Sequence, residues 1–318
     1  MNICHLPPPP LNAYIKAYYY CDAPVLYPRE RIFPAPWLAL LINFGGPFIA
    51  YEANQTTPFA VCTDSWWVGV RTTYHIVQWT APIRFLLVDF KPGGAAPFVR
   101  LPLADLHHRV APSEALWGSF AHEIRERLAT TPTVPAKFAL LDRLLLSRLT
   151  SAPRGFAVVQ QAMKHIVQAQ GNLSIRGLSA QLGLSHKHLI TQFKQVVGGT
   201  PKEIARIIRF DHILLKTNTA HPVDWTDIAY QFGYTDQAHF SNDFASFTGD
   251  SPTSYWRLRR QIFAEHPAHA TLRQLPVEEQ IVPKEHACQV RTDDLDDIPA
   301  IFLPPARSKA ILLREDLL

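Results

Sequence analysis

Between Ile175 and Arg260 one pattern is written twice, and this repeat constrains the fold more than anything else in the chain. The first copy is IRGLSAQLGLSHKHLITQFKQVVGGTPKEIARIIR, residues 175–209. The second is WTDIAYQFGYTDQAHFSNDFASFTGDSPTSYWRLRR, residues 225–260. Gly183 and Gly233 stand 50 residues apart. Phe193 and Phe244, Gly198 and Gly249, Pro201 and Pro252, Arg206 and Arg257, and Arg209 and Arg260 all stand 51 apart, which a single insertion in the second copy explains. A fixed-period internal repeat marks a structural unit. Here the unit reads as helix, glycine turn, helix.

Each copy has local reasons for that reading. Ser174 is placed to cap a short helix whose inner face carries Leu178 and Leu182. Gly183 ends it, since the left-handed conformation of a tight helix exit suits glycine. Ser185 can cap the next helix, where Leu189 and Phe193 repeat at i and i+4. The second copy offers Ile228 and Phe232, then Gly233, Thr235 as the cap, and Phe240 with Phe244. Two helices joined by a tight glycine turn form a helix-turn-helix, whose second helix can enter a DNA major groove. An ordinary helical hairpin would satisfy one copy; duplication argues against it.

The segments LSAQLGLSHKHLITQFK with Gly198 and Pro201, and DIAYQFGYTDQAHFSNDF with Gly249, Pro252 and Tyr255, resemble the AraC/XylS family of bacterial transcription regulators. The resemblance covers residues 155–262, about a third of the chain. It implies a sequence-specific DNA-binding regulator, with double-stranded DNA as partner and RNA polymerase as a candidate second one. Members usually carry a basic residue in the second recognition helix where this chain has Asn242.

Charge is segregated in a way that fits. Residues 154–216 hold nine Lys or Arg against Glu203 and Asp211, a net +7. Residues 217–256 hold five Asp and no Lys or Arg, before Arg257, Arg259 and Arg260 restore a basic edge. Neutralising phosphates supplies most nonspecific DNA affinity, so the first copy and the helix after it form the expected electrostatic footprint. Within that footprint the DNA-facing candidates are His186, Lys187, Ile190, Thr191, Lys194, Arg206 and Arg209. Lys187 suits guanine, Ile190 and the Thr191 methyl suit thymine methyls, and Lys194 suits phosphate. In the second copy, Gln237 and Asn242 can read adenine and Ser241 can add one bond. With Asp236 and Asp243 expected near the groove, the second copy should contribute less affinity, and Asp243→Lys should tighten binding. Folding back of Arg257, Arg259 and Arg260 is the opposing expectation.

Residues 1–150 read differently. WLALLINF (37–44), WWVGV (66–70), YHIVQW (74–79) and IRFLLVDF (83–90), separated by Pro, Gly or polar stretches, predict a β-rich barrel or sandwich. Residues 113–149 then turn helical, with Leu116, Phe120 and Ile124 on one face and Phe138, Leu141, Leu145 and Leu149 on another. These helices are expected to link the β region to the DNA-binding part, or to pair two subunits in a homodimer. Thirteen basic and ten acidic residues are too balanced for a nucleic-acid surface and suit a regulatory or dimerisation region, with a small-molecule effector left open. Trp66, Trp67 and Trp79 could line an effector pocket or simply pack. Phe90-Lys91-Pro92-Gly93-Gly94 looks like a motif of one uncharacterised subset of such domains; a plain hairpin turn accounts for it equally in chemistry and is preferred. Residues 263–318, with ten acidic and six basic residues, DDLDD at 293–297 and six prolines, read as an extended or partly disordered tail in which IPAIFL and AILL could dock.

Other classes find little support. Cys4, Cys21, Cys62 and Cys288 lack paired spacing, so neither a disulfide framework nor a zinc motif is indicated. Fourteen histidines include the adjacent His107 and His108 and the pair His186 and His188, but no His-Glu-x-x-His pattern. No Gly-x-Ser-x-Gly or phosphate-binding loop is present. No apolar run approaches membrane-spanning length, and PPPP at 7–10 argues against a signal sequence. The expectation is an α+β protein of the cytoplasm: a β-rich domain with helices (1–150), an all-α domain of two helix-turn-helix motifs (155–262) and an acidic tail (263–318). It uses no metal or cofactor and is not an enzyme. The alternative is a ligand-binding or protein-interaction module with weakened DNA binding.

Overall fold

A computed structural model of the chain describes residues 2–218, 221–266 and 273–277. Its N-terminal part contains two antiparallel sheets. The first joins, in order, β1 (Asn2–His5), β2 (Ile15–Ala23), β9 (Ile83–Phe90), β4 (Ala39–Asn43), β7 (Ser65–Val68) and β10 (Val110–Pro112). The second joins β11 (Gln274–Pro276), β3 (Arg29–Ile32), β8 (His75–Trp79), β5 (Phe48–Glu52) and β6 (Pro58–Cys62). The four apolar runs picked out in the sequence become β4, β7, β8 and β9.

Alternation along the strands sets the layers. Leu41 of β4, with Trp66, Phe85 and Leu87, meets Phe48, Cys62, Val77 and Trp79 of the second sheet. The opposite face of the first sheet presents Tyr18, Leu40, Ile42, Trp67, Leu86 and Val88 to a larger core. Helices α1 (Ser113–Trp117), α2 (Ser119–Thr130) and α3 (Val134–Arg148) cover that face with buried Trp117, Ile124, Leu128, Phe138, Leu141 and Leu145. The Tyr18 hydroxyl donates to Asp142 at 2.9 Å, and Arg125 Nε donates to the Asn43 carbonyl at 3.0 Å. The helices therefore complete the β-rich part. The tryptophans split across layers: Trp67 is fully buried, stacked on Phe90 and edge-on to Trp117, whereas Trp66 and Trp79 lie between the sheets. Trp66 and Trp67 therefore do not face one pocket, because neighbours on a strand point to opposite faces.

Among the described residues seven further helices follow: α4 (Phe156–Gln168), α5 (Ile175–Gln181), α6 (His186–Val196), α7 (Pro201–Lys216), α8 (Trp225–Gln231), α9 (Gln237–Thr248) and α10 (Pro252–Glu265). Helix α7 connects the two repeats. It opens with Pro201 in its first turn and a reciprocal cap in which Glu203 N–H donates to Thr200 Oγ1 and Thr200 N–H to Glu203 Oε2. Its buried Ile204, Ile207, Ile208, Phe210, Ile213 and Leu214 make it the spine of the helical part. One continuous apolar core runs through the first sheet, its helices and this bundle.

The segment after β9 departs from the expected hairpin. Gly94 N–H closes a turn on the Lys91 carbonyl at 2.7 Å, and the chain coils into a 3-10 helix, Ala96–Phe98. Ala95, Ala96 and Phe98 are buried, so apolar packing draws this stretch inward rather than into a returning strand. The Pro92 carbonyl accepts a bond from Gln160 of α4, tying the motif to the helical part. In the described portion of the tail, residues 274–276 are extended and add a strand to the second sheet. IPAIFL, AILL and DDLDD lie outside the described residues.

Candidate nucleic-acid interface

Both repeats fold as helix, turn, helix. The first pair is α5 and α6, the second α8 and α9. Gly183 and Gly233 sit at φ 68° and 73°, in the left-handed region that a side chain would strain, at the same point of each turn. Ser174 Oγ accepts from Gly177 N–H and Ser185 Oγ from His188 N–H, each at 3.2 Å, as the sequence predicts. In the second copy the cap is Asp236, not Thr235: Asp236 Oδ1 accepts from His239 N–H at 2.7 Å. Thr235 lies one residue further out and bonds to Asp236 and His239 instead. A carboxylate at a helix N-terminus is favoured by the partial positive charge there. The His239 backbone bond accordingly holds the Asp236 carboxyl below the usual range. This acid has a structural task.

The inner faces of the second helices are buried through Leu189 and Phe193, and through Phe240 and Phe244. The outer faces are open. On α6, His186, Lys187, Thr191 and Lys194 are exposed and Ile190 is half-buried; the Thr191 hydroxyl donates to the Lys187 carbonyl, leaving its methyl free to face outward. On α9, Gln237 and Asn242 are exposed and Ser241 is half-buried. Thr226 of α8 donates to Gln237 Oε1 at 3.3 Å.

The basic segment divides in two. Arg154, Lys164, Arg176, Lys187, Lys194, Lys202 and Lys216 are exposed. Arg206 and Arg209 are half-buried and engaged within the molecule. Arg206 Nε donates to Asp243 Oδ1 at 3.1 Å, and its guanidinium covers Phe247. Arg209 donates to the Gly171 carbonyl at 3.1 Å and lies over Tyr234. Asp243 corrects the sequence expectation: it faces Arg206 and the Tyr234 hydroxyl, which donates at 2.7 Å, rather than a groove. Burial, then the adjacent Asp243, push the Tyr234 hydroxyl up, so it remains a donor. Of the terminal arginines, Arg259 is buried and donates to Asn218 at 3.0 Å, while Arg257 and Arg260 are exposed. Sequence reasoning missed the cluster of Arg206, Tyr234 and Asp243; the only hint was an arginine on the connecting helix facing an acid in a segment devoid of cations.

A family model described as a helix-turn-helix domain matches residues 178–258, spanning both pairs. Residues 178–258 thus form an AraC-type helix-turn-helix domain. Residues 4–112 match a domain of unknown function, DUF6597, which ends at the last strand of the first sheet. Among solved structures, the chain is similar to ToxT from Vibrio cholerae, at 10% identity and TM-score 0.43 over 76% of this chain and 98% of that one. An unsaturated fatty acid-bound form of ToxT gives 11% identity and TM-score 0.43 over 75% and 94%. The C-terminal domain of AraT, a response regulator from Geobacillus stearothermophilus, gives 25% identity and TM-score 0.30 over 33% and 88%. No curated protein matches the chain. Among the described residues, no helix is long and apolar enough to cross a membrane, and no group of three or more His, Cys, Asp or Glu is placed to hold a metal ion.

Proposed function

We propose that this protein is a cytoplasmic, sequence-specific DNA-binding transcription regulator whose AraC-type domain reads duplex DNA through α6 and α9. The observation that carries it is the pairing of two capped helix-turn-helix units with solvent-facing polar second helices, the first set among exposed cations. Lys187 is assigned to guanine, Ile190 and Thr191 to thymine methyls, Lys194 to phosphate, and Gln237, Ser241 and Asn242 to the second half-site, with His186 at the edge of the first. Arg206 and Arg209 act by holding helices in place, since their guanidinium groups are spent inside the domain. The β-rich part is assigned regulation, with a small-molecule effector or a second copy of the chain as its partner. RNA polymerase is the further partner of the DNA-bound state. No catalytic role is included. Selecting bound fragments from genomic DNA with the full chain, then following affinity against salt, tests the reading. A steep fall of log K with log salt is expected. Failure to retain any fragment at low salt favours the alternative, a protein-interaction module on the same scaffold.

A further inference from the structure

The five described residues beyond the helical domain, 273–277, make more of the domain contact than their number suggests. Strand β11 runs antiparallel to β3, with Gln274 opposite Ile32, Leu275 opposite Arg31 and Pro276 opposite Glu30. Phe33 N–H donates to the Arg273 carbonyl at 2.9 Å, Val277 N–H to the Arg29 carbonyl at 3.0 Å, and Leu275 is fully buried. Just ahead of the strand, the Arg273 guanidinium ion-pairs with Asp211 of α7, donates to the Pro34 carbonyl and lies 4.9 Å over Trp37. Both side chains of this pair are more than nine-tenths buried. Burying such a pair is costly unless several partners satisfy it together, and breaking it from one side leaves an uncompensated charge. Arg273 has three partners from two parts of the molecule.

Strand β3 carries a second arginine to the same domain. Arg31, opposite Leu275, donates to the Thr248 carbonyl at 3.2 Å and ion-pairs with Asp250 at 2.5 Å, at the C-terminal end of α9. A cation there is favoured by the helix dipole. The other recognition helix also ends on the β-rich part: a Cβ at Gly198, just past α6, would come within 2.9 Å of the Leu103 carbonyl. Both helices are thus held at their C-terminal ends, while His186, Lys187, Gln237 and Asn242 nearer their starts stay exposed. That arrangement braces the reading surface without covering it.

We infer that β11 and Arg273 form a strap that locks α7 and the end of α9 to the β-rich part, so that the geometry of the two recognition helices is set from outside the DNA-binding domain. The inference rests on the DNA-binding reading, but its first test does not. Hydrogen exchange on the full chain without DNA should show faster exchange in residues 205–215 and 245–250 for Arg273→Ala, while α5 and α6 change little. On a genomic fragment selected by the wild-type chain, Arg273→Ala should bind about tenfold more weakly, because two reading helices lose effective concentration when their spacing is freed. The exchanged pair Arg273→Asp with Asp211→Arg should recover part of both effects. Arg273→Lys keeps the charge but cannot reach Asp211 and the Pro34 carbonyl with two nitrogens at once, and serves where Arg273→Ala does not fold. Unchanged exchange at 205–215 overturns the strap even if DNA binding is normal. Tighter DNA binding by Arg273→Ala overturns bracing and makes the contact inhibitory. If the wild-type chain retains no DNA, the exchange result still decides whether the strap exists.

Discussion

Replacing Asp243 separates two ideas of how the second helix-turn-helix works. If the carboxylate merely sits near phosphate, Asp243→Lys tightens DNA binding and leaves stability alone. The structure gives the opposite outcome. Asp243 accepts from Arg206 and from Tyr234, and its side chain is only 11% exposed against 34% for Arg206. Hydrogen bonds to a charged group contribute about 1.5–3 kcal/mol each, and breaking a fully buried ion pair from one side costs about 3–5 kcal/mol. The partial exposure of Arg206 screens the pair, which lowers the expected loss for Asp243→Asn to about 2–3 kcal/mol. Asp243→Lys should lose more, since it sets a second cation against Arg206. Tyr234→Phe, which removes a neutral donor from a charged acceptor that Arg206 still holds, should cost about 1.5–2 kcal/mol, the lower end of that range. Urea unfolding of the full chain measures all three, with DNA affinity measured in parallel. Asp243→Lys that unfolds like wild type and binds DNA more tightly would refute the reasoning.

Three further outcomes are expected. Lys187→Ala should weaken binding to a selected fragment by about 1–3 kcal/mol and relax one base preference, with a smaller loss for Asn242→Ala; the reverse order in a titration removes the assigned asymmetry between the repeats. Gly94→Ala would place a Cβ 1.8 Å from the Tyr14 carbonyl oxygen, a fixed backbone atom that also accepts from Lys91 N–H, so it should cost about 3 kcal/mol or more; a wild-type melting curve contradicts that packing. Burial pushes the Asp89 carboxyl up to about 6, with Lys16 opposing. Its folded value lies above the unfolded one, so its contribution is present below about pH 4 and is lost as pH rises through about 6. From pH 4.5 to 7, the stability of wild type relative to Asp89→Asn should therefore fall by about 2 kcal/mol, and a difference constant with pH speaks against it.

Strand and helix positions were legible where the signal is local. The run 83–90 became β9 to the residue, and the helical faces at 113–149 became α1 to α3. Ser174 and Ser185 declared their caps because capping reaches only three residues along the chain. The second cap was misplaced by one residue, since Thr235 and Asp236 both satisfy the same local rule and only the helix entry angle chooses between them. The hairpin expected at Pro92-Gly93-Gly94 failed for a different reason: Gly94 is packed against Tyr14, some 80 positions earlier, and no local pattern carries that.

By itself, the sequence determined the duplicated helix-turn-helix, the β-rich start and the segregation of charge, because periodicity, capping and turn chemistry act over a few residues. Tertiary structure alone decided that Asp243 turns inward to Arg206, 37 residues away, that Trp66 and Trp67 serve different layers, and that Arg31 reaches Thr248, 217 residues away. It also decided that Arg273 closes on Asp211 from a segment whose composition reads as tail. These partners are chosen by which buried charges must be satisfied once the layers are packed, and that demand exists only in the folded chain.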